Sequence, residues 1–564
     1  MNQVIIVLNA LSASAGGLTR VALSRCDAFN TRGIKSFVAL TNFDSKLLST
    51  FEAMREEGRI SATVNVVNFY AYYAYISELV IKNYSSAVED KIVINNIVKT
   101  KITRKVNVVK NTDLKIVRYY TSSGHLFLQE LIQDKNECLW ISISVPNEIP
   151  LEFDCRDEAH SHWLGELGNR NLPTAIISDS PPTCDTVMNV LGKDIYKILT
   201  IHNNHFKSPY KPGAVLNDRY AKVLNGLPVA DALIVLTAKQ SEHIKFQFRD
   251  RGNIFVIGNP LTKFNPVEDV VRDNKLAVAV CRLHSMKNLE QILINFSEVV
   301  KNISDAKLEI WGTGVEEEML REKINHLNMN DSIFLKGYTT DAATVFSRAS
   351  VSLAASHFEG FGVSFAESLS LGTPVVSFKT LYGPEEIITN EEDGFLVDNN
   401  EEFIIRVNEL LSSPSLVKSM AANGSRNMEK FSHQNISNKW LEMFEALEQR
   451  GSKEHCAVDP AYGDFVERKV NVSGSAFGWL YFASNTKMDV DDLKSKFTSV
   501  RLIKVRQERG FKGEQTELFE GDYTVDSLQF VEERQEYRFR VKKNDQIYTK
   551  GIGNNAINFI FDLN

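Results

Sequence analysis

The sequence predicts an α/β protein with two Rossmann-like halves, a β-rich insertion in the N-terminal half and a β-rich C-terminal extension. Two observations carry this prediction. In two regions of the 564-residue chain, apolar runs that suit buried parallel strands alternate with stretches of helical periodicity. Between and after these regions, short runs rich in Val, Ile, Thr and Tyr indicate antiparallel strands. A chain of this length is also expected to form several hydrophobic cores.

The first α/β unit begins with an apolar strand at Val4–Leu8, followed by a glycine turn and a helix over residues 18–30. This apolar run imitates the core of a signal peptide, but it is short and no basic residues precede it, so we expect a buried strand. We place the unit at residues 1–68 and 174–258, and we expect a helix over 433–450 to pack back on it.

The second α/β unit is expected at residues 259–432, where six apolar runs alternate with helical stretches. The expected strands are Leu276–Val280, Lys307–Trp311, Ser332–Leu335, Val351–Ala354, Pro374–Phe378 and Gly394–Val397.

Two β-rich units complete the organisation. The first is an insertion over residues 69–173, and the second is an accessory domain over 455–564, reached through a polar linker at Gln449–Gly463. Predicted strands in these units are Lys91–Val98, Val106–Val109, Leu114–Thr121, Leu126–Ile132, Cys138–Val145, Gly478–Phe482, Val500–Val505, Tyr537–Val541 and Ile557–Phe561.

Five aromatic residues open the insertion: Phe69, Tyr70, Tyr72, Tyr73 and Tyr75. Such a cluster can form a face that stacks on carbohydrate. It more often belongs to a hydrophobic core, and we favour the core.

The composition excludes several classes of protein. Apolar residues make up 43% and charged residues 24% of the chain, which is typical of globular domains and excludes wholesale disorder. The formal net charge of -7 gives no reason to expect nucleic acid as a partner. No apolar run is long enough for a membrane span. The six cysteines have no metal-ligand spacing, so we expect reduced thiols in a cytoplasmic protein.

Four groups of residues lie where a doubly wound fold binds ligands, at the carboxyl ends of strands. The first is Gly16-Gly17, whose missing side chains allow close approach of a phosphate or sugar, although a tight turn explains a glycine pair equally well. The second is Arg282 and Lys287, two cations on one loop that suit a diphosphate or form a solvated basic loop.

The third group is the pair Gly312 and Gly314, with Tyr338 downstream. It fits the edge of a nucleotide but is too short to distinguish from an ordinary strand-to-helix turn. The fourth group is the most informative, because Glu359 and Glu367 flank a glycine-rich loop that opens a helix. Amides of such a loop can bind a phosphate while the carboxylates accept hydrogen bonds from hydroxyls. A capped structural helix is the alternative.

The fourth group reads E-G-F-G-x-S-x-x-E, and L-G-T-P-V-V-S and G-P-E-E-I-I follow it. Together these motifs resemble GT-B glycosyltransferases of retaining family 4, strongly over residues 275–440 and more weakly over 1–66 and 174–258. The insertion and the segment His202-Asn203-Asn204-His205 resemble the branch with wall teichoic acid α-glycosyltransferases and serine-rich adhesin O-GlcNAc transferases.

The resemblance implies a role for each candidate residue. Arg282 and Lys287 would bind the donor diphosphate and stabilise the departing UDP, Glu359 would orient donor-sugar hydroxyls, and Glu367 would bind the ribose. Either His202 or His205 would face the donor sugar, and the sequence does not say which. The remaining binding candidates are Gly16, Gly17, Gly312, Gly314, Tyr338, Gly360, Phe361, Gly362, Val363 and Ser364.

The expected activity is retaining transfer of a hexose or N-acetylhexosamine from UDP-glucose or UDP-N-acetylglucosamine to a polyol-phosphate polymer, without a cofactor or metal. The first alternative acceptor is Ser or Thr of a serine-rich surface protein. More remote alternatives are a glycoside hydrolase and a non-catalytic sugar-binding subunit. The resemblance also implies a homo-oligomer and peripheral association with the inner face of the cell membrane. Acceptor binding or oligomer contact would be the role of the insertion.

Overall fold

The structure, a computed structural model, describes most of the chain up to residue 451. The described residues are 1–11, 17–81, 99–110, 112–133, 136–168, 172–192, 194–212, 214–227, 229–248, 252–262, 264 and 270–451, and beyond these only the backbone of seven strands. Two parallel and two antiparallel sheets form within this part. The predicted fold class, with two Rossmann-like halves and two β-rich additions, is confirmed.

The elements are numbered in chain order. The strands are β1 (Gln3–Leu8), β2 (Lys35–Leu40), β3 (Val66–Asn68), β4 (Thr103–Val108), β5 (Lys115–Tyr120), β6 (Leu126–Ile132), β7 (Cys138–Ile143), β8 (Leu151–Phe153), β9 (Thr174–Ser178), β10 (Ile195–Ile201), β11 (Ala232–Val235), β12 (Ile254–Val256), β13 (Asp273–Val280), β14 (Lys307–Trp311), β15 (Ile333–Gly337), β16 (Ala349–Ala354), β17 (Val375–Phe378), β18 (Gly394–Val397), β19 (Lys469–Val470), β20 (Leu480–Ala483), β21 (Phe497–Lys504), β22 (Asp522–Val531), β23 (Glu536–Lys543), β24 (Gln546–Ile547) and β25 (Ile557–Leu563).

The α-helices are α1 (Gly17–Thr31), α2 (Leu47–Glu56), α3 (Phe69–Ile81), α4 (Arg156–Leu167), α5 (Cys184–Met188), α6 (Asp218–Asn225), α7 (Ala238–Phe248), α8 (Leu289–Asn302), α9 (Glu317–His326), α10 (Ala342–Arg348), α11 (Val363–Ser370), α12 (Gly383–Ile387), α13 (Asn400–Ser412), α14 (Pro414–Asn427) and α15 (His433–Arg450). Short 3-10 turns occur at Pro181–Thr183, Ser285–Lys287 and Met428–Phe431. Among the helices described here, none is long and apolar enough to cross a bilayer.

The first parallel sheet and its helices form what we call the N-lobe. Its seven strands run in the order β12-β11-β10-β9-β1-β2-β3. β1 is buried at every position because neighbouring strands and helices cover both its edges and both its faces, which explains its unbroken apolar sequence. Although α15 follows the second parallel sheet in the chain, it packs on α1, where the rings of Trp440 and Phe29 are 5.8 Å apart.

The second parallel sheet and its helices form the C-lobe, with strands in the order β15-β14-β13-β16-β17-β18. Order reverses between β13 and β16, and ligands of open α/β sheets bind at such a switch point, beside the carboxyl ends of the strands. α8 shows how the pattern produces the packing, since its buried apolar residues recur every three or four positions. These residues are Leu289, Ile292, Leu293, Phe296 and Val299.

The insertion sheet contains β4 to β8 in sequential antiparallel order. The β-rich interpretation of residues 69–173 missed two helices, α3 and α4. The aromatic and β-branched residues of α3 favour strands locally, but the helix is enclosed by the insertion sheet, α4 and the N-lobe. The core interpretation of the aromatic cluster is confirmed for Phe69, Tyr70, Tyr72 and Tyr73, which are all buried, and Tyr75 packs against them. The predicted strand Lys91–Val98 lies outside the described residues.

The C-terminal sheet runs in the order β19-β25-β21-β22-β23-β20, with β24 paired to β23. The four strands predicted there overlap β20, β21, β23 and β25, whereas β19, β22 and β24 were not predicted. The proposed linker begins inside α15, which extends to Arg450, and the rest of it from residue 452 lies outside the described part.

Candidate active site

The loop between β13 and α8 carries the two predicted cations. Arg282 is exposed and has no ion-pair partner among the described residues. Lys287 ends a 3-10 turn, and its side chain is mostly buried. The loop therefore presents one free guanidinium and one ammonium directed into the protein.

Gly312 and Gly314 set the position of this loop by close backbone packing. A Cβ at Gly312 would lie 1.8 Å from the carbonyl oxygen of Cys281, and one at Gly314 would lie 2.1 Å from that of Leu283. Both contacts are with backbone, so no side chain larger than hydrogen fits. Tyr338, the third member of this predicted group, follows β15 and is 68% exposed.

Glu359 lies in the loop between β16 and α11, where its carboxylate meets Lys287. Its Oε1 accepts hydrogen bonds from Lys287 Nζ at 2.5 Å and from Ser356 Oγ at 2.7 Å. Oε2 has no hydrogen-bond partner within the described residues. The carboxylate is thus fixed through one oxygen and can accept a ligand hydroxyl through the other.

The glycine-rich segment after Glu359 joins the two lobes. A Cβ at Gly360 would lie 2.0 Å from the backbone oxygen of His202 in the N-lobe. Phe361 is buried and its ring packs on Phe431, 5.0 Å away, so its side chain belongs to the core. Gly362 has φ +86°, a conformation that glycine adopts most readily, and caps α11.

Beyond Gly362, the first turn of α11 has features that suit an anion. Val363 and Ser364 form its first residues and are partly exposed. Amides in the first turn of a helix have no intrahelical partner, and the helix dipole favours negative charge there. The arrangement suits a phosphate group facing Arg282 and Lys287.

Glu367 lies farther along α11 and links the lobes through its carboxylate. Oε1 is 2.9 Å from the Arg20 guanidinium of α1 and accepts a hydrogen bond from the Thr262 hydroxyl. Oε2 has no hydrogen-bond partner in the described part of the chain. Gly17, the first residue of α1, has open space where a side chain would lie. Gly16 lies outside the described residues.

The two predicted histidines have different surroundings. His202 follows β10 at the junction of the lobes, and its side chain is 14% exposed. His205 is fully buried, stacks on the Tyr382 ring at 5.7 Å, and burial lowers its pKa to about 3. Only His202 is therefore accessible to a ligand.

Asp179 is a site residue that the sequence reasoning missed. It directly follows β9 and is completely buried. Its Oδ1 lies 2.7 Å from Nε2 of His202 and accepts a hydrogen bond of 2.7 Å from Arg25. The signal for Asp179 in the sequence is an acidic residue directly after a predicted parallel strand. Its position beside His202 follows only from the fold.

A cavity of about 380 Å³ lies between the lobes next to the Glu359 loop. Tyr210 and Lys211 line it from the N-lobe, and Ser356, Lys379 and Glu385 line it from the C-lobe. This space adjoins the candidate donor position because Ser356 also bonds Glu359.

Comparison with known proteins identifies the C-lobe. Residues 262–427 match the family described as glycosyl transferases group 1. The chain contains a glycosyltransferase group 1 domain. The match includes Arg282, Lys287, Glu359 and Glu367.

Two curated relatives extend the similarity beyond this domain. The poly(glycerol-phosphate) alpha-glucosyltransferase of Bacillus subtilis (strain 168) is 29% identical over 399 residues, which is 65% of this chain and 59% of the relative. The chain thus spans less than two thirds of that relative's length. The poly(ribitol-phosphate) alpha-N-acetylglucosaminyltransferase of Staphylococcus aureus (strain COL) is 23% identical over 497 residues, covering 79% of this chain and 100% of the relative.

Two solved structures share the fold of this chain. S. aureus TarM, solved with UDP, fondaparinux and alpha-GlcNAc-glycerol, has a TM-score of 0.63 at 20% identity over 79% of this chain and 100% of that one. The pneumococcal O-GlcNAc transferase GtfA, solved with UDP and GlcNAc, has a TM-score of 0.58 at 16% identity over 79% of this chain and 99% of that one. The fold is therefore GT-B, and these two likenesses show the fold alone.

Proposed function

We propose that this protein is a retaining glycosyltransferase that moves glucose or N-acetylglucosamine from a UDP-sugar to hydroxyls of a polyol-phosphate polymer. One observation carries the proposal. The Lys287–Glu359 pair lies beside the open amides of α11, within the glycosyltransferase group 1 domain. The acceptor class is supported by the names of both curated relatives.

The donor sugar and the ribose would use the free carboxylate oxygens. Glu359 would accept from sugar hydroxyls through Oε2 while Lys287 and Ser356 hold Oε1. Glu367 would accept from the ribose in the same way while Arg20 holds its Oε1. His202 would face the donor sugar, because His205 is buried.

The diphosphate would lie between the cations and α11. Negative charge develops on the oxygen that leaves with UDP, and donors already in place stabilise that charge without reorganising. Arg282, Lys287 and the amides of Val363 and Ser364 would be these donors. We propose that the leaving phosphate takes the acceptor proton on the same face of the sugar, which retains the anomeric configuration and assigns no role to a metal.

The decisive experiment measures UDP release from UDP-glucose and UDP-N-acetylglucosamine with poly(glycerol phosphate) or poly(ribitol phosphate). We expect UDP release that depends on the acceptor, in the presence of EDTA, with an α-linked product by NMR. Failure to consume either donor with any acceptor would refute the proposal. A β-linked product would refute retention alone.

A protein acceptor is the second candidate, favoured by sequence similarity to the UDP-N-acetylglucosamine–peptide N-acetylglucosaminyltransferase GtfA subunit of Streptococcus gordonii, which is 28% identical over 288 residues, 50% of this chain and 55% of that protein. A Ser-rich peptide supplied in the same assay separates the two. Transfer to the peptide without transfer to either polymer would replace the first proposal with the second.

We further propose that the protein self-associates through the insertion sheet at the inner face of the cell membrane. β4 is an edge strand on which every residue is exposed, including Val106 at 46% and Val108 at 65%. Unpaired edges of this kind are templates for pairing with another chain. Native mass spectrometry of the protein and of the Val108→Lys variant tests the assembly. A monomer in both samples would refute self-association.

Sedimentation of the protein with anionic vesicles tests the membrane contact. The proposed contact is refuted if no protein pellets with the vesicles.

A further inference from the structure

The residue directly after β9, Asp179, is a carboxylate whose buried environment is not explained by stability alone. Asp179 is fully buried, and its side-chain hydrogen bonds within the described residues are all made by one oxygen, Oδ1. Oδ2 is buried and finds no hydrogen-bond partner among the described residues. Leaving half of a buried carboxylate unsatisfied costs free energy.

The charge of Asp179 is maintained by its neighbours. Burial alone would raise the pKa of Asp179, but Arg25 and His202 outweigh burial and hold that pKa below its ordinary value. Arg25 is itself fixed, because its guanidinium lies 4.6 Å from the centre of the Trp440 ring on α15. Asp179 is therefore an ionised group on a rigid support, and it can only accept hydrogen bonds.

An ionised acceptor determines which nitrogen of His202 carries the proton. Since Oδ1 of Asp179 lies 2.7 Å from Nε2, Nε2 must be the donor in that bond. The other ring nitrogen, Nδ1, has no partner within the described residues. The bond at Nε2 also fixes the orientation of the ring, whose backbone is held against Gly360 of the C-lobe.

We propose that Asp179 is the positioning residue for His202, which it holds with Nε2 protonated so that Nδ1 accepts a hydrogen bond from a hydroxyl of the donor sugar. This inference rests on the proposed function. Asp179 acts through His202 and does not touch the substrate. Arg25 supports it from α1, the helix whose Arg20 reaches Glu367.

The test is a double-mutant cycle with Asp179→Asn and His202→Gln in the full chain. Asp179→Asn should lower kcat by about tenfold to a hundredfold, the loss expected when a group that contacts substrate is misplaced, with a smaller change in KM for the UDP-sugar. In the His202→Gln background it should have no further effect, because its effect passes through the imidazole. Equal losses in both backgrounds would overturn the proposal and indicate a purely structural role.

Thr200→Val is the matched control. The Thr200 hydroxyl also reaches Oδ1 of Asp179, at 3.3 Å, but it does not contact His202. We expect nearly unchanged kcat for this variant, and a loss as large as that of Asp179→Asn would contradict the assignment.

A spectroscopic measurement tests the positioning without turnover. In protein labelled with ¹⁵N-histidine, and with His202→Gln as the assignment reference, His202 should show a protonated Nε2 protected from exchange and an unprotonated Nδ1. That protection should be lost in Asp179→Asn. A protonated Nδ1, or protection unaffected by Asp179→Asn, would refute the inference. An enzyme that consumes no UDP-sugar yet gives the expected spectra would refute the proposed function and leave the positioning of His202 intact.

Discussion

Lys287 has two anionic neighbours in the proposed reaction, the Glu359 carboxylate in the structure and the donor diphosphate in the complex. Replacing it with a neutral residue removes a cation from the leaving group and leaves Glu359 without its counter-ion. Lys287→Met should therefore lower kcat/KM for the UDP-sugar by about 100-fold to 1,000-fold, the range found when one preorganised donor is lost. Initial-rate kinetics of UDP release provide the measurement.

Lys301→Met is the control for this substitution. Lys301 is exposed on α8 and pairs with Glu298 at 2.7 Å, away from the candidate site. Exposed pairs contribute little to stability, so wild-type kinetics are expected. A Lys287→Met enzyme as active as Lys301→Met would remove Lys287 from the site.

The sequence grouped candidate residues where the chemistry was local. Lys287, Glu359 and Ser364 belong to short motifs, and the structure brings them around one small space of the C-lobe. Asp179 escaped prediction because its partners Arg25 and His202 are more than 20 positions away on either side in a sequence of 564 residues. Only the order of the strands brings these three together.

At the scale of elements, the β13–α8 loop depends on the turn after β14. In Gly314→Ala the new Cβ would lie 2.1 Å from the carbonyl oxygen of Leu283, so the loop that carries Arg282 and Lys287 must shift. We expect a rise in KM for the UDP-sugar of about tenfold or more, since small misplacements of binding groups are costly. The measurement is a donor titration of initial rates.

Gly226→Ala is the comparison for this glycine. Its nearest contact would be the end of the Leu199 side chain at 3.0 Å, which can move. We expect an unchanged KM for the donor. If Gly314→Ala behaved in the same way, the loop would not be held by this packing.

At the scale of elements, Tyr382 makes one of the contacts between the lobes. This residue precedes α12 of the C-lobe but is buried in an N-lobe cluster, where its hydroxyl lies 3.1 Å from Nδ1 of His243. Tyr382→Phe should lower the free energy of unfolding by about 1 kcal/mol, the typical contribution of one hydrogen bond. Chemical denaturation measures the change, and an unaltered midpoint would show that the hydroxyl contributes nothing.

Element types were predictable in the two α/β units, because buried parallel strands read as unbroken apolar runs. The insertion was harder. α3 consists of residues that favour strands, and it is helical because it packs between a sheet and another helix. Tertiary packing of this kind leaves no periodic signal in the sequence.

At the scale of the whole molecule, the buried histidines make the free energy of unfolding depend on pH. Burial lowers the pKa of His160 and of His205 to about 3, whereas histidine in an unfolded chain titrates near pH 6.5. As pH falls below about 6.5 only the unfolded chain takes up these protons, so each histidine lowers the free energy of unfolding by up to about 1.4 kcal/mol per pH unit. The contribution of Asp179, whose pKa is lowered, is lost only at more acidic pH.

The measurement is the Tm of the protein at pH values from about 8 to about 5. We expect the Tm to fall as the pH is lowered. His160→Gln should show a shallower dependence. His326→Gln should match the wild type because His326 is exposed on α9. A Tm independent of pH over this range would contradict the prediction.

The path of the chain through the N-lobe has a consequence for the order of folding. β1 pairs with β9, so that Gln3 lies beside Thr174, and α15 closes the lobe where Glu448 meets the N-terminal amine. During synthesis, β1 is made before β9 and α15, so the N-lobe must wait for residues made more than 400 positions after β1. The insertion sheet, whose described strands pair with sequential neighbours, can form early and shorten the loop that β1 and β9 must close. The N-lobe, although its first strand is made before the C-lobe, is thus completed after the C-lobe.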